Sequence, residues 1–446
     1  MRVTIKSKKN DARSIILSKT RSVCPVCLGR IEARYTTHSD GVFLEKTCPE
    51  HGDFSVRVWS DPLGFLKWKS RVDKEPEFKG DCPNECGLCG NHIQNTCCVL
   101  FELTKRCNLG CPVCFASSGG EHDYPDPDIA KIAGWYDMLM ESGGPFNIQL
   151  SGGEATMRDD LPEIIRLGRE KGFSFFQLNT NGLRIAKEDG YIESLVKAGL
   201  STVFLQFDGF SEKANFDLRG RSVIDEKLSA IRRCREAQVG IVLVPTIMRG
   251  ANDNELGDIL KFAAENIPFV RGVHFQPISL FGRYSAGADA RITIPELLKR
   301  IEKQSDGKVL RTDFLPSNAE HPLCGFHADY KVKGETWQLI SSGDGGCSCG
   351  VSSAKAREVV ARKWKAPEAI IPLEDTKTSE DMSFDDFIIE RQNTTLAISG
   401  MAFQDAYTID LNRLRRCYIH VVSQDGRIIP FCSYNLSSDS GKSLYR

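Results

Sequence analysis

"LTKRCNLGCPVCF" occupies residues 103–115 and puts Cys107, Cys111 and Cys114 within eight positions. A closed structural metal site takes four protein ligands, whereas three ligands leave a coordination position open. Thiolates at this density suit an iron–sulfur cluster, and three of them on four irons leave one iron free for another partner. A structural metal loop with a remote fourth ligand is the alternative. The stretch follows directly on an apolar run, "CVLFELT" (98–104), and that position decides the fold. Downstream come "FNIQLSG", "FSFFQLNTN", "TVFLQFDG", "IVLVPTIM" and "GVHFQPIS", alternating with helix-like segments such as "PDIAKIAGWYDMLMESG" and "IDEKLSAIRRCREAQ". Six βα units predict an α/β architecture: a parallel sheet with right-handed crossovers, closed part-way as a (β/α)6 partial barrel. Parallel sheets gather their functional loops at the carboxyl ends of the strands, so the three thiols belong at the barrel mouth.

Composition narrows the function class. The 446 residues carry 58 Lys+Arg against 59 Asp+Glu, which argues against a basic nucleic-acid binder. No apolar run approaches a membrane span and the N-terminus has no export signal, so a cytoplasmic location is expected. Seventeen cysteines in such a chain point to metal rather than to disulfides, and eleven of them lie between residues 24 and 114.

Four regions separate. Residues 1–75 contain "CPVC" and "CPEH"; Cys24, Cys27, Cys48 and His51 have zinc-ribbon or rubredoxin-like spacing for one zinc or iron. Residues 76–98 hold a second C-x3-C-x2-C, formed by Cys82, Cys86 and Cys89. No strand precedes it, and Cys97 or Cys98 could close it as a four-thiolate auxiliary cluster; Cys97 is the expected fourth ligand and a structural zinc knot the alternative. Residues 99–285 are the βα series. Residues 286–446 open with a capping-box signal, Thr293 with Glu296. This C-terminal region holds Cys324, Cys347, Cys349, Cys417 and Cys432. Asp425-Gly426 predicts a hairpin that brings Cys417 toward Cys432. With Cys324 and Cys347 or Cys349 these could hold another cluster, free core cysteines being the alternative. Cys234 falls in a barrel helix and reads as packed.

The run C-x3-C-x2-C after the first strand, then "SGGEAT" at the end of the second, resembles the radical S-adenosylmethionine (SAM) superfamily. The resemblance implies a [4Fe–4S] cluster on Cys107, Cys111 and Cys114 whose open iron chelates SAM, an external electron donor, and release of a 5′-deoxyadenosyl radical. It further implies that Gly152, Gly153 and Glu154 receive the methionine amino group. By the same resemblance Asn179, Asn181, Gln206 and Asp208 line the mouth near the cofactor, and Arg249 reaches its carboxylate. Ala155 stands where that motif usually has Pro.

The full order of motifs, from "CPVC…CPEHG" through "CPNECGLCGNHIQNTC" and "FQPISLFGR" to "GRIIPFCSYN", is similar to the archaeal tetraether lipid synthase family and its archaeal and bacterial relatives. That similarity implies a rubredoxin-like N-terminal domain, auxiliary clusters, and carbon–carbon bond formation on a lipid-like substrate. Methylation of a pterin-like compound or modification of a peptide is the alternative, and a non-catalytic iron–sulfur carrier a further one. Two stretches, 59–70 and 353–365, mix Trp, apolar and basic residues. The mixture fits peripheral membrane contact, but such stretches are more often amphipathic helices packed on a core.

Overall fold

The computed structural model describes residues 14–71, 80–90, 92–119, 125–284, 287–317, 319–340, 352–370 and 383–446. The first unit is an antiparallel meander: β1 (Ile15–Val23), β2 (Arg30–His38), β3 (Gly41–Cys48) and β4 (Gly52–Trp59), in spatial order 1-2-3-4. Its apolar face carries Tyr35, Val42, Leu44 and Trp59, covered by Phe65 from the following helix, Pro62–Lys69. Burying one such phenylalanine is worth about 1.5–3 kcal/mol, so this small sheet depends on what it docks against. Polar contacts fix the docking. Tyr35 Oη and Thr20 Oγ1 each donate to Asp410 at 2.6 Å, and Lys46 Nζ donates to the Ala406 carbonyl at 2.7 Å.

The main sheet follows. Strands β5 (Cys98–Glu102), β6 (Asn147–Ser151), β7 (Phe176–Thr180), β8 (Thr202–Gln206) and β9 (Gly240–Val244) lie side by side and parallel, and β11 (Val270–Pro277) continues the array. A short β10 (Thr246–Ile247) pairs with the end of β11. These are the six strands expected from the apolar runs. The fold is accordingly an α/β partial barrel preceded by a small metal-ribbon sheet. Between strands run helices with one buried stripe, such as Leu161–Glu170, which buries Leu161, Ile164, Ile165 and Gly168.

The C-terminal segment extends this sheet at both ends. β15 (Thr395–Met401) lies parallel to β11, and β16 (Ile419–Val422) lies parallel to β5. Beyond β15 come antiparallel β13 (Gly325–Lys333), β12 (Leu315–Pro316) and β14 (Thr336–Leu339); beyond β16 comes β17 (Ile428–Pro430). The β16–β17 hairpin turns through Gly426 at φ 79°. The Thr293–Glu296 capping box forms, with Thr293 N–H donating to Glu296 at 2.9 Å.

The two Trp-containing stretches pack on the core. Phe65 is fully buried and Trp68 packs beside it, while Trp364 and Ala356 face the sheet. Among the described residues no helix is long and apolar enough to cross a membrane.

Candidate active site

The loop after β5 carries Cys107, Cys111 and Cys114, and all three line a cavity of about 260 Å³ at the carboxyl ends of the strands. A distant arginine holds this loop. Arg283 exchanges both backbone hydrogen bonds with Cys114, at 2.8 and 2.9 Å. Its guanidinium donates to the Cys111 carbonyl at 2.7 Å and to the Ser118 carbonyl at 2.9 Å. Gly282 just before it sits at φ 56°, where an added Cβ would lie 2.5 Å from the Phe115 carbonyl oxygen. Burial pushes the Cys107 thiol up to about 11, with the Leu109 N–H opposing and Glu154 and the other two thiols adding. A group so placed ionises when a metal supplies the counter-charge, which fits three ligands for a cationic cluster.

"GGE" packs against the root of that loop. Gly153 N–H donates to the Thr104 carbonyl at 2.7 Å and Glu154 N–H to the Arg106 carbonyl at 2.9 Å. A Cβ on Gly152 or on Gly153 would stand 2.3 Å from the Thr104 or the Arg106 carbonyl oxygen. The glycines are there because two backbones touch. The Glu154 carboxylate is buried and accepts four hydrogen bonds: from Thr156 N–H and Oγ1, from Thr180 Oγ1 at 2.6 Å and from Asn181 N–H at 2.7 Å. It ties the β6 end to the β7 end.

Inside the cavity the strands present amides. Gln149, Gln177, Asn179, Gln206 and Gln276 all line it, with His274, Thr246 and Asn181. Gln177 donates to Asn179 at 2.6 Å, and Asn181 donates to Asn108 in the cysteine loop at 2.7 Å. Behind them Lys227, almost fully buried, donates to the Asn181 carbonyl at 2.5 Å and to Gln206 Oε1 at 2.9 Å. Burial pushes its ammonium down to about 7, against the pull of Asp208. Burial likewise pushes His274 down to about 4, which keeps it neutral; its Nδ1 lies 2.9 Å from Ser399 Oγ. Four phenylalanines, Phe115, Phe281, Phe403 and Phe431, close one side, Phe403 and Phe431 with centroids 4.5 Å apart.

Two expected cofactor contacts lie elsewhere. Asp208 is not on the cavity wall: it is locked in a buried bidentate pair with Arg219, at 2.6 and 2.8 Å, and Arg219 is the residue that reaches the wall. Arg249 points away. Its guanidinium donates to the Asp289 and Arg291 carbonyls and pairs with Glu296 at 3.0 Å, clamping the start of helix Ile294–Gln304. The tight turn at Gly250, φ 78°, directs it there. Sequence reasoning missed Arg219, Arg283, Lys227 and the part of the amide wall made by Gln149, Gln177 and Gln276. Only the wall had a local signal, polar residues at every second place in strands that are otherwise apolar.

Nine of the remaining cysteines form three further groups. In the ribbon the ligand atoms of Cys24, Cys27, Cys48 and His51 all lie within 4.8 Å of one another, His51 Nδ1 being 3.3 Å from Cys48 Sγ. Cys82, Cys86 and Cys89 line a cavity of about 70 Å³, Cys82 and Cys86 with sulfurs 3.8 Å apart. Cys97, expected as their fourth partner, does not reach it. It and Cys98 are buried against Ala356, with the Cys97 N–H bonded to the Tyr418 carbonyl at 2.8 Å as β5 begins. Cys324, Cys417 and Cys432 line one small cavity of about 20 Å³ with Glu320 and Arg413. Burial raises all three thiols, Cys417 to about 12. Cys347 and Cys349 lie outside the described residues.

A partial parallel barrel with three loop cysteines after its first strand and a Gly-Gly-Glu turn after its second defines a radical SAM enzyme. In agreement, residues 101–263 match the family described as "Radical SAM superfamily", and residues 16–60 match the "HMPTM N-terminal zinc ribbon domain". A [4Fe–4S] cluster and SAM are its cofactors, and the N-terminal ribbon is a metal-binding domain. The 7,8-dihydro-6-hydroxymethylpterin dimethyltransferase of Methanocaldococcus jannaschii is 36% identical over 474 residues, covering 94% of this chain and 93% of the relative. The chain belongs to the family of that enzyme. The mitochondrial GTP 3′,8-cyclase of Arabidopsis thaliana is 33% identical over 187 residues, 40% of this chain and 46% of its own. A solved structure, anSMEcpe with bound AdoMet and the Cp18Cys peptide, aligns with TM-score 0.37 at 17% identity over 48% of this chain and 63% of that one. The near-full-length relative is named for a pterin, so the comparison supports the methylating alternative and not the lipid-joining reading.

Proposed function

We propose that this chain is a methylating radical SAM transferase whose substrate is a reduced pterin or a heterocycle like it. The amide-lined interior carries the reading. Gln177 and Asn179 pair with one another and Gln206 accepts from Lys227, but these amides, with Gln149 and Gln276, keep hydrogen-bonding groups to spare, and an alkyl tail would leave those unmet at about 1–3 kcal/mol apiece. Against a pterin, whose ring edge alternates N–H donors with carbonyl and ring-nitrogen acceptors, the same groups are matched. The phenylalanine side offers faces on which a flat ring can stack.

Cys107, Cys111 and Cys114 are the proposed ligands of the cluster, which when bound with SAM supplies one-electron cleavage of the sulfonium and the radical that removes hydrogen from carbon. Gly152 and Gly153 keep the floor low for the methionine end, and Asn179, Asn181 and Gln206 are proposed to contact the cofactor. Neutral His274 adds a hydrogen-bonding group without a charge. Cys24, Cys27, Cys48 and His51 are proposed to hold one ion. Cys82, Cys86 and Cys89, and separately Cys324, Cys417 and Cys432, are proposed to hold auxiliary iron–sulfur centres.

Anaerobically reconstituted protein is incubated with SAM, dithionite and either 6-hydroxymethyl-7,8-dihydropterin or a lipid extract, and products are read by mass spectrometry. Deoxyadenosine formation stimulated by the pterin is expected, with methyl groups gained by the pterin from a second SAM, the only methyl source in the mixture, which leaves as S-adenosylhomocysteine. Stimulation by the lipid alone sinks the reading.

A further inference from the structure

Besides the carboxylates of Asp81 and Glu85, the cavity of Cys82, Cys86 and Cys89 has a wall residue with a nitrogen ligand to offer, His92. In sequence the run is C-x3-C-x2-C-x2-H, so His92 follows Cys89 at the spacing of a metal knuckle. The backbone makes that turn: His92 N–H donates to the Cys89 carbonyl at 2.9 Å. The ring is held through one of its nitrogens. Nε2 lies 2.7 Å from the Cys417 carbonyl oxygen and 3.2 Å from His420 Nε2, the two rings packing edge to face. A carbonyl only accepts, so Nε2 carries the proton and Nδ1 the lone pair. Among the described residues Nδ1 has no hydrogen-bond partner. This is the arrangement of a ligating histidine, whose second nitrogen donates to a carbonyl that fixes tautomer and ring orientation.

The competing thiols are committed elsewhere. Cys97 and Cys98 pack against Ala356 at the start of β5, and turning either toward the cavity would break the first pairs of that strand with β6 and β16. We propose that His92 Nδ1 is the fourth protein ligand of the iron–sulfur centre on Cys82, Cys86 and Cys89. The inference rests on those cysteines holding such a centre. A neutral imidazole in place of a thiolate removes one negative charge and raises the reduction potential. The hydrogen bond to the Cys417 peptide then joins this centre to the group of Cys324, Cys417 and Cys432.

The test uses the full chain with Cys107, Cys111 and Cys114 replaced by Ala, which removes the radical cluster, and with zinc loaded in the ribbon. After reconstitution with iron and sulfide and reduction, pulsed paramagnetic resonance reads nitrogen coupled to the cluster, with natural and with ¹⁵N-labelled histidine. A coupling that changes isotope with the label, disappears in His92→Cys while that site keeps its iron, and survives in Cys97→Ala is expected. The midpoint potential of His92→Cys should shift to a more negative value. A cluster without histidine coupling, a coupling unaffected by His92→Cys, or loss of the centre in Cys97→Ala overturns the assignment of His92. Iron content unchanged by Cys82→Ala would instead overturn the centre itself, and His92 with it.

Discussion

The ribbon and the C-terminal cavity each gather several cysteines by opposite means. In the ribbon two knuckles closed by local turns bring Cys24, Cys27, Cys48 and His51 within reach of a single ion. At the other end Cys324, Cys417 and Cys432 come from three places along the chain, and they meet because β13, β16 and the turn after β17 converge across the main sheet. A local site can be made by short-range geometry alone, whereas an assembled one exists only once the fold does. The radical-cluster loop combines both: its spacing is local, but Arg283 pins it from the far end of the six-strand array.

The strongest challenge to that contrast is Arg283→Ala. Its loss leaves the cysteine spacing intact and removes the long-range clamp. Displacing reacting groups by about 1 Å costs about 100-fold, so deoxyadenosine formation should fall by at least about that factor. Arg283→Lys should recover little, because an ammonium cannot fork between two carbonyls. If Arg283→Ala forms deoxyadenosine at the parent rate, the local motif suffices by itself. Next is Gly153→Ala, which forces a methyl group against the Arg106 carbonyl. Overpacking of this kind costs about 1–3 kcal/mol, and a fall of about 10-fold in deoxyadenosine formation with lower cluster iron is expected.

Chelating the ribbon ion sharpens the contrast from the other side. Amide exchange over residues 15–59 should rise strongly while iron bound at Cys107, Cys111 and Cys114 stays constant; a parallel loss of both would show that the two sites are one cooperative unit. Smaller still is a pH effect. Burial pushes both Lys46 and Lys227 down to about 7. Their folded values lie below the unfolded one, so the unfolded chain binds more protons, and stability rises with pH from about 7 toward the ordinary lysine value. Each contributes at most about 1.4 kcal/mol per pH unit. Urea midpoints measured between pH 7 and 9 should show a shallower slope in Lys46→Met and in Lys227→Met. The smallest effect belongs to Arg249→Ala: its pairing with Glu296 predicts a change in KM for SAM of less than about twofold, with a stability loss of about 1 kcal/mol.

Much of this was legible in the chain. The six central strands announced themselves as short apolar runs after turn residues, and the cysteine groups by spacing. Strand β15 did not, and although Asp425-Gly426 marked the hairpin of β16 and β17, nothing marked its joining β5, because pairing with β11 or β5 depends on partners far away in sequence and leaves no local pattern. In the ribbon β1 and β4 were hidden by their half-exposed polar faces. Cys97 misled through its nearness in sequence to Cys89, when the start of β5 decides where its side chain goes. Asp208 and Arg249 misled in the same way, for a charged residue at a strand end can equally be a brace, and only its partner (Arg219 or Glu296) tells which. The amides of the wall were visible all along as polar residues alternating through apolar strands.

The pairing of β16 with β5 sets an order of events during synthesis. Strand β5 leaves the ribosome long before β16, so one edge of the nascent barrel stays open until the hairpin near the C-terminus is made. An apolar edge left bare invites association with other chains.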